Sequence, residues 1–404
     1  MKVPFFRVEL PETAVEAVAE SLRSGWLTTG FKTKTFEEQF AARVNTTHAL
    51  ALTSCTAALH LALEAMGVQR GDLVLVPTMT FAATAEVVRY FDAVPVFVDM
   101  DDNFNMDPVK LDETIRAIRA NQPVAGLEPP YGPIRLIVVM HYGGFACDIN
   151  AIQTVALQHE IPFIEDAAHT FPAYYRHEEN IPWRHCGTFG QMGCFSFYAN
   201  KCITTGEGGM VIARDGEKMD RMRVMSLHGM NRDAWKRYTS AGSWYYEIVA
   251  PGYKYNMTDI AASLGLDELI RADDYLAKRA HVAAVYDKRL GQLDAIQLPP
   301  RDPATRKHSW HLYSIRLNLD ALSIDRAQFI EALREREIYC SMHWLPLHLM
   351  PYYRETYGYD NGLFPTAERD WKRQVSLPIF PAQTEEEIDA VCSAIEEVTE
   401  VYRS

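Results

Sequence analysis

Lys201 stands where an apolar run gives way to a loop of glycine and threonine, in residues 193–213, GCFSFYANKCITTGEGGMVIA. Lysine is ordinarily a solvated surface residue, so its meaning depends on what else the chain can bring to it. Residues 53–67, TSCTAALHLALEAMG, open with Ser54 and Thr56 and continue apolar almost all round. They predict a buried helix whose N-terminus offers hydroxyls and free backbone N–H groups to an anion, best a phosphate. Plain N-capping also explains such a start. Cys55, in the same turn, would have its thiolate favoured there, although no base can be paired with it. The run Pro162-Phe163-Ile164 ends in Glu165-Asp166, with His169 three residues later. It delivers a carboxylate to the carboxyl edge of a sheet, where open α/β proteins bind ligands; a helix cap is the alternative for Asp166. Ser196 alternates with Phe195 and Phe197, so it faces away from them, toward a polar group such as a phosphate.

Together these are a phosphate cradle, a strand-end carboxylate and a lysine on a loop of small residues. Pyridoxal 5′-phosphate needs those parts: a lysine for its aldehyde, a carboxylate to keep its ring nitrogen protonated as an electron sink, and a helix N-terminus for its phosphate.

Such groups require a frame. Apolar or β-branched runs end at Pro77, Asp99, Met140, Asp166, Tyr198 and Ala213, and helix-length segments such as 80–91 and 148–159 lie between most of them. This alternation predicts an α/β fold with a mostly parallel sheet covered on both faces. Only ten residues, 199–208, separate CFSFY from GMVIA, too few for a parallel crossover. Those two strands should be antiparallel, with Lys201 on their connecting loop. From about residue 258 the texture changes. A long helix over 258–290 is expected, capped by Thr258 or Asp259, with Ile260, Leu264, Leu269 and Ile270 on its apolar face. A Pro-rich break at 297–303, a strand over 308–319, an amphipathic helix over 325–338 and a last helix capped by Thr384 follow. The expected division is a large α/β domain, residues 1–257, and a linking helix with a smaller α+β domain, residues 258–404; residues 121–133 read as an exposed loop.

The chain has 404 residues, 48% hydrophobic and 23% charged, an ordinary globular balance. No run approaches the ~18 apolar residues of a membrane span. Its seven cysteines are scattered without a CxxC pair, and Cys186, Cys194 and Cys202 with His185 match no zinc spacing. The expectation is a cytoplasmic protein with free thiols and no metal. A net charge of −13 disfavours nucleic acid and anionic membrane as partners. An anionic small substrate would need a local positive patch, and Arg232, Lys236 and Arg237 in HGMNRDAWKRY are candidates for it, with solvated charge as the alternative.

The order Ser-x-Thr-Ala-Ala-Leu-His (54–60), then VPTMTFAATAEVV, PVFVDMD, EDAAH, FSFYANKCITTGEGGM, HGM, GYKYNMTDIAASLGL and PLHLMPYYRETYGY, resembles the DegT/DnrJ/EryC1/StrS family of sugar aminotransferases, from residue 3 to about residue 391. The resemblance implies a fold-type I aminotransferase with a seven-stranded-type sheet, a pyridoxal 5′-phosphate cofactor, and a homodimer with active sites at the subunit interface. It implies Lys201 as the Schiff-base lysine, Asp166 at the ring nitrogen, His169 near the ring hydroxyl and Phe81 stacked on the ring. Cys55 (through its backbone), Thr56 and Ser196 match phosphate contacts. Where the family reads Gly-aromatic-Asn-aromatic-Arg, this chain has Gly252-Tyr253-Lys254-Tyr255-Asn256. Either Lys254 or Asn256 would then reach the neighbouring subunit's phosphate; Asn256 is favoured. SGWLTTG (24–30) and GYKYN look most like the branch acting at C4 of nucleotide-linked 4-keto sugars, with L-glutamate as amino donor and 2-oxoglutarate as its product. His343 and His348 in HWLPLH are candidates for the border of the sugar pocket, with packing as their alternative. A 3-keto sugar or cyclitol ketone as substrate, and a non-catalytic metabolite sensor, are the competing readings. Deoxysugar dehydratases of the same scaffold carry histidine in the lysine's place, and Lys201 argues against that chemistry.

Overall fold

The computed structural model describes residues 1–231 and 246–404. Strands β1 (His48–Leu52), β2 (Leu73–Pro77), β3 (Val94–Val98), β4 (Ile134–Met140), β5 (Phe163–Asp166), β8 (Met192–Ser196) and β9 (Gly209–Ala213) form a seven-stranded sheet in the order β1-β9-β8-β5-β4-β2-β3. Every neighbouring pair is parallel except those made by β9, which opposes both β8 and β1. The short connection between β8 and β9 therefore does what its length requires, and Lys201 lies on it. Six of the strands correspond to the apolar runs; the seventh, β1, is the alanine-rich HALAL, which lacks the β-branched residues that mark a strand in sequence.

The runs are continuous because both sheet faces are covered. Val74 and Val76 pack with α3 (Cys55–Ala65) and α4 (Ala82–Arg89), whereas Leu73 and Leu75 pack with α5 (Pro108–Arg119) and α6 (Ile149–Gln158). Helix α7 (Gly216–Met225) joins the first layer through Met219, Met222 and Met225. At the β1–β9–β8 end, Ala49, Ala51, Phe195 and Ile212 meet Phe36 and Phe40 of α2 (Phe31–Val44), which is preceded by α1 (Glu12–Ser24).

Helix α8 (Asp259–Leu290) is capped by Thr258, whose hydroxyl accepts the Ala261 N–H at 3.2 Å. Its buried face includes Leu269 as expected but departs from the expected one at Ile270, which is 79% exposed; Ala262, Gly265 and Ala272 are buried with Leu269. A Cβ on Gly265 would come within 2.8 Å of the Phe36 ring, so small residues are what permit α2 to lie this close. The distal half of α8, through Val282, Tyr286 and Leu290, packs against a second sheet of β10 (Ile296–Gln297), β12 (Tyr313–Leu317) and β13 (Gln374–Leu377). Helices α9 (Arg326–Glu335) and α12 (Glu385–Val401) complete that core, each with a capping box, Asp325 with Gln328 and Thr384 with Glu387. The two-residue strands β6 (Tyr174–Tyr175), β7 (Arg184–His185) and β11 (Arg306–Lys307) form a third sheet, and α10 (Pro351–Tyr357) and α11 (Pro365–Trp371) lead into β13. The strand expected over 308–319 begins only at Tyr313: residues 309 and 312 are instead held by N–H bonds from Ser309 to Gly144 and from Leu312 to Gly143. Among the described residues no helix is long and apolar enough to cross a membrane.

The carboxyl ends of β1, β2, β4, β5 and β8 open at one edge of the sheet, and β9 starts there because it is reversed. Gly209 pairs with both Leu52 and Ser196 at that edge. A Cβ on it would lie 2.3 Å from the Ser54 carbonyl carbon and 2.5 Å from the Cys55 nitrogen. Glycine is therefore needed for the N-terminus of α3 to sit on the sheet. Gly209→Ala is expected to cost about 1–3 kcal/mol through overpacking against backbone, read as a lower urea midpoint with unchanged slope, and to weaken cofactor binding at the same helix end.

Candidate active site

At this edge lies a cavity of about 450 Å³, lined by Cys55, Thr56, Phe81, Asp166, His169, Ser196 and Lys201, residues drawn from four separate stretches of the chain. The helix contributes backbone. Ser54 caps α3 by accepting the Ala57 N–H at 3.0 Å, which leaves the first-turn N–H groups of Cys55 and Thr56 to point outward. Cys55 corrects one expectation. Burial pushes its thiol well above the ordinary value, and Asp166 nearby adds to this, so the side chain is a thiol and not a thiolate. Ser196 faces the cavity while Phe195 and Phe197 are fully buried on the other side, as alternation requires.

Asp166 caps no helix. Its Oδ1 accepts the Ala168 N–H at 3.1 Å and its Oδ2 accepts the Thr84 hydroxyl at 2.7 Å. Burial raises this carboxyl above its ordinary range, while those two donors, Lys201 and His141 pull it back toward the ionised form. His169 accepts the Gly143 N–H at Nδ1, 3.1 Å, which puts its single proton on Nε2. Burial and the Lys201 charge hold it well below the usual imidazole value, so it is a neutral donor. Its ring stacks on Trp344, centroids 5.4 Å apart at 29°.

Burial also acts on Lys201, lowering its ammonium to about 8 against the opposing charge of Asp166. Nζ lies 3.5 Å from His311 Nε2. Phe81, at the N-cap of α4, keeps 59% of its surface exposed at the cavity mouth, 6.2 Å from the Trp344 ring. An apolar ring so open offers a free face to a planar ligand. With outward N–H groups, an aimed carboxylate, a neutral histidine donor and a weakly basic lysine, the donor set fits pyridoxal 5′-phosphate.

The other candidates divide. His343 lines the cavity, bonded through Nδ1 to Ser376 Oγ at 2.8 Å and pushed down to about 3 by burial. His348 does not line it. Its ring is fully buried between Thr78 Oγ1 at 2.6 Å and Glu368 Oε1 at 3.1 Å, so the sugar-pocket reading is corrected to packing. Asn256 and Lys254 lie on a different cavity of about 980 Å³, with Trp26 and Phe31. There Lys254 donates to Asn256 Oδ1, and Asn256 Nδ2 donates to Thr29 Oγ1 at 2.7 Å. Arg232, Lys236 and Arg237 lie outside the described residues. Sequence reasoning missed His311 and Trp344. The first sat inside HSWHLY, read as strand; the second adjoins His343 and could have been found as an aromatic beside a candidate ligand residue.

The DegT/DnrJ/EryC1/StrS aminotransferase family model matches residues 9–396. The chain is 39% identical over 402 residues to the uncharacterized protein MJ1066 of Methanocaldococcus jannaschii, covering 99% of this chain and 98% of that one. It is 39% identical over 398 residues to the spore coat polysaccharide biosynthesis protein SpsC of Bacillus subtilis, covering 98% and 97%. In structure it is similar to Spr1654 of Streptococcus pneumoniae, assigned as a sugar aminotransferase: the PMP form superposes with a TM-score of 0.88 at 29% identity, over 99% and 98% of the two chains. The PLP form of the same protein gives 0.87, over 99% of each chain. By a family match that runs almost end to end and agrees with the fold and the lysine cavity, this chain belongs to the DegT/DnrJ/EryC1/StrS aminotransferase family.

Proposed function

We propose that the protein is a pyridoxal 5′-phosphate-dependent sugar aminotransferase that moves the amino group of L-glutamate to C4 of a nucleotide-linked 4-keto sugar, an NDP-4-keto-6-deoxyhexose or a UDP-4-keto-pentose. The observation that carries the chemistry is the weakly basic Lys201 amine in one cavity with Asp166, His169 and the N-terminus of α3. The membership of this aminotransferase family and the polysaccharide role in the name of SpsC support a sugar acceptor. The C4 position and the nucleotide rest on the resemblance of SGWLTTG and GYKYN to that branch.

When bound, the cofactor supplies a carbonyl that takes up the amino group and a ring that draws off electron density. The N–H groups of Cys55 and Thr56, with Ser196, hold the phosphate, and the exposed face of Phe81 covers the ring and excludes water. Asp166 keeps negative charge at the ring nitrogen, and the Nε2 proton of His169 is donated to the ring hydroxyl. Lys201 Nζ takes a proton from the α-carbon of glutamate in one half-reaction and delivers one to the sugar carbon in the other. A base for that step must be free near neutral pH, and a lysine lowered to about 8 meets the requirement where an ordinary one does not. The protein acts as a homodimer in this reading. Asn256, held by Lys254 and Thr29, contacts the cofactor phosphate of the second copy.

Three measurements test this. Only the unprotonated amine adds to an aldehyde, so the rate at which added pyridoxal 5′-phosphate develops its protein-bound visible band should rise with pH through a midpoint near 8. A midpoint near 10.5, the ordinary lysine value, would mean that the cavity does not act on Lys201. Mass spectrometry of the glutamate-loaded enzyme against UDP-, dTDP- and GDP-linked 4-keto sugars should show one of them aminated, and Lys201→Ala should abolish it. Conversion only of 3-keto sugars or cyclitol ketones would overturn the C4 reading and leave the cofactor chemistry standing. Asn256→Ala should weaken cofactor affinity about tenfold, and an affinity equal to that of a distant surface variant would remove the cross-subunit contact.

A further inference from the structure

Two threonines beside Asp166, Thr80 on the cavity wall and Thr84 beneath it, are bonded in series to that carboxyl group. Thr80 and Thr84 are both fully buried, their hydroxyl oxygens 2.6 Å apart, and Thr84 Oγ1 lies 2.7 Å from Asp166 Oδ2. The direction of this chain is fixed by counting protons. Ionised Asp166, facing the Lys201 and His141 charges, can only accept, from the Ala168 N–H at one oxygen and from the Thr84 hydroxyl at the other. Thr84 has one proton and gives it to Asp166. Its oxygen must then accept the proton of Thr80. The groups that bear on Asp166 from other elements are the Lys201 and His141 charges, which favour the carboxylate, and the neutral thiols of Cys55 and Cys194.

We infer that Thr84 is a positioning residue for the cofactor's ring nitrogen: its hydroxyl, oriented by Thr80, holds Asp166 as a carboxylate aimed into the cavity. This inference rests on the reading of Asp166 as the ring nitrogen's partner. It adds a reason for the local sequence. Thr84 is the third residue of α4 and Phe81 its N-cap, so one helical turn carries both the ring-covering aromatic and the donor that sets the carboxylate beneath. A buried hydroxyl bonded to a charged group contributes more than one bonded to a neutral group. Its loss falls specifically on ligands that need the charge.

The test compares two probes on the full chain: pyridoxal 5′-phosphate, and its analogue with the ring nitrogen replaced by C–H, their dissociation constants measured by fluorescence titration. The wild-type chain should prefer the nitrogen-bearing probe, and Asp166→Asn should remove the preference. Thr84→Val should reduce the preference about tenfold while changing affinity for the analogue less than twofold, and Thr84→Ser should restore it. If Thr84→Val weakens both probes alike, or leaves the preference intact while Asp166→Asn removes it, Thr84 is packing and the inference is overturned with the Asp166 reading still standing. If the wild-type chain shows no preference, the Asp166 reading fails and takes this one with it. Should Thr84→Val not fold, Thr80→Val decides: a smaller loss of the same preference supports the relay, and an unchanged preference overturns it.

Discussion

Because β9 runs against both of its neighbours, the chain enters it at the edge where the parallel strands end, and everything chemical in the protein is arranged around that reversal. A parallel crossover after β8 would have carried the chain away from this edge over a helix. The short return instead suspends Lys201 above the ends of β5 and β8, and it seats Gly209 directly beneath the first turn of α3. Lys201 and the seat of the α3 N-terminus thus lie on one connection. A Cβ at residue 209 would disturb both.

The cavity also separates two carboxylates that adjoin in sequence. Glu165 and Asp166 point to opposite sides of β5. Glu165 is fully buried and accepts the N–H groups of Gly187, Phe189 and Gly190 at 2.6, 2.6 and 2.7 Å, with His141 Nε2 at 3.0 Å. It ties down the turn that leads into β8. Asp166 lines the cavity with acceptor capacity left over. The pleat therefore assigns one acid to the scaffold and the next to the cavity.

Charge is managed by neutrality. A chain carrying −13 surrounds a basic lysine with three histidines, His169, His311 and His343, all of them lowered by burial and by Lys201 itself. Had any been protonated, its repulsion would have added to the burial that already disfavours the Lys201 ammonium. The rings instead pack together, His169 stacked on Trp344 at 5.4 Å and tilted against His311 at 4.2 Å, which makes an uncharged aromatic wall.

Much was legible in the residues alone: the alternation of apolar runs with helices, the antiparallel pair forced by a ten-residue connection, the caps Thr258 and Thr384, and the polar direction of Ser196. These depend on periodicity, chain length and capping, which are local properties. What escaped was decided by contact between distant segments. The strand HALAL carries too little intrinsic preference to announce itself, and α8 buries alanine and glycine where Phe36 must fit, leaving Ile270 in solvent. His343 and His348, five residues apart, part company because one meets the cavity and the other Thr78 and Glu368. Sequence alone determined which residue types stand at the strand ends and helix starts; only the tertiary structure decided which are buried together, because desolvation, which sets the basicity of Lys201 and the neutrality of its histidines, is a property of the surroundings and not of the residue.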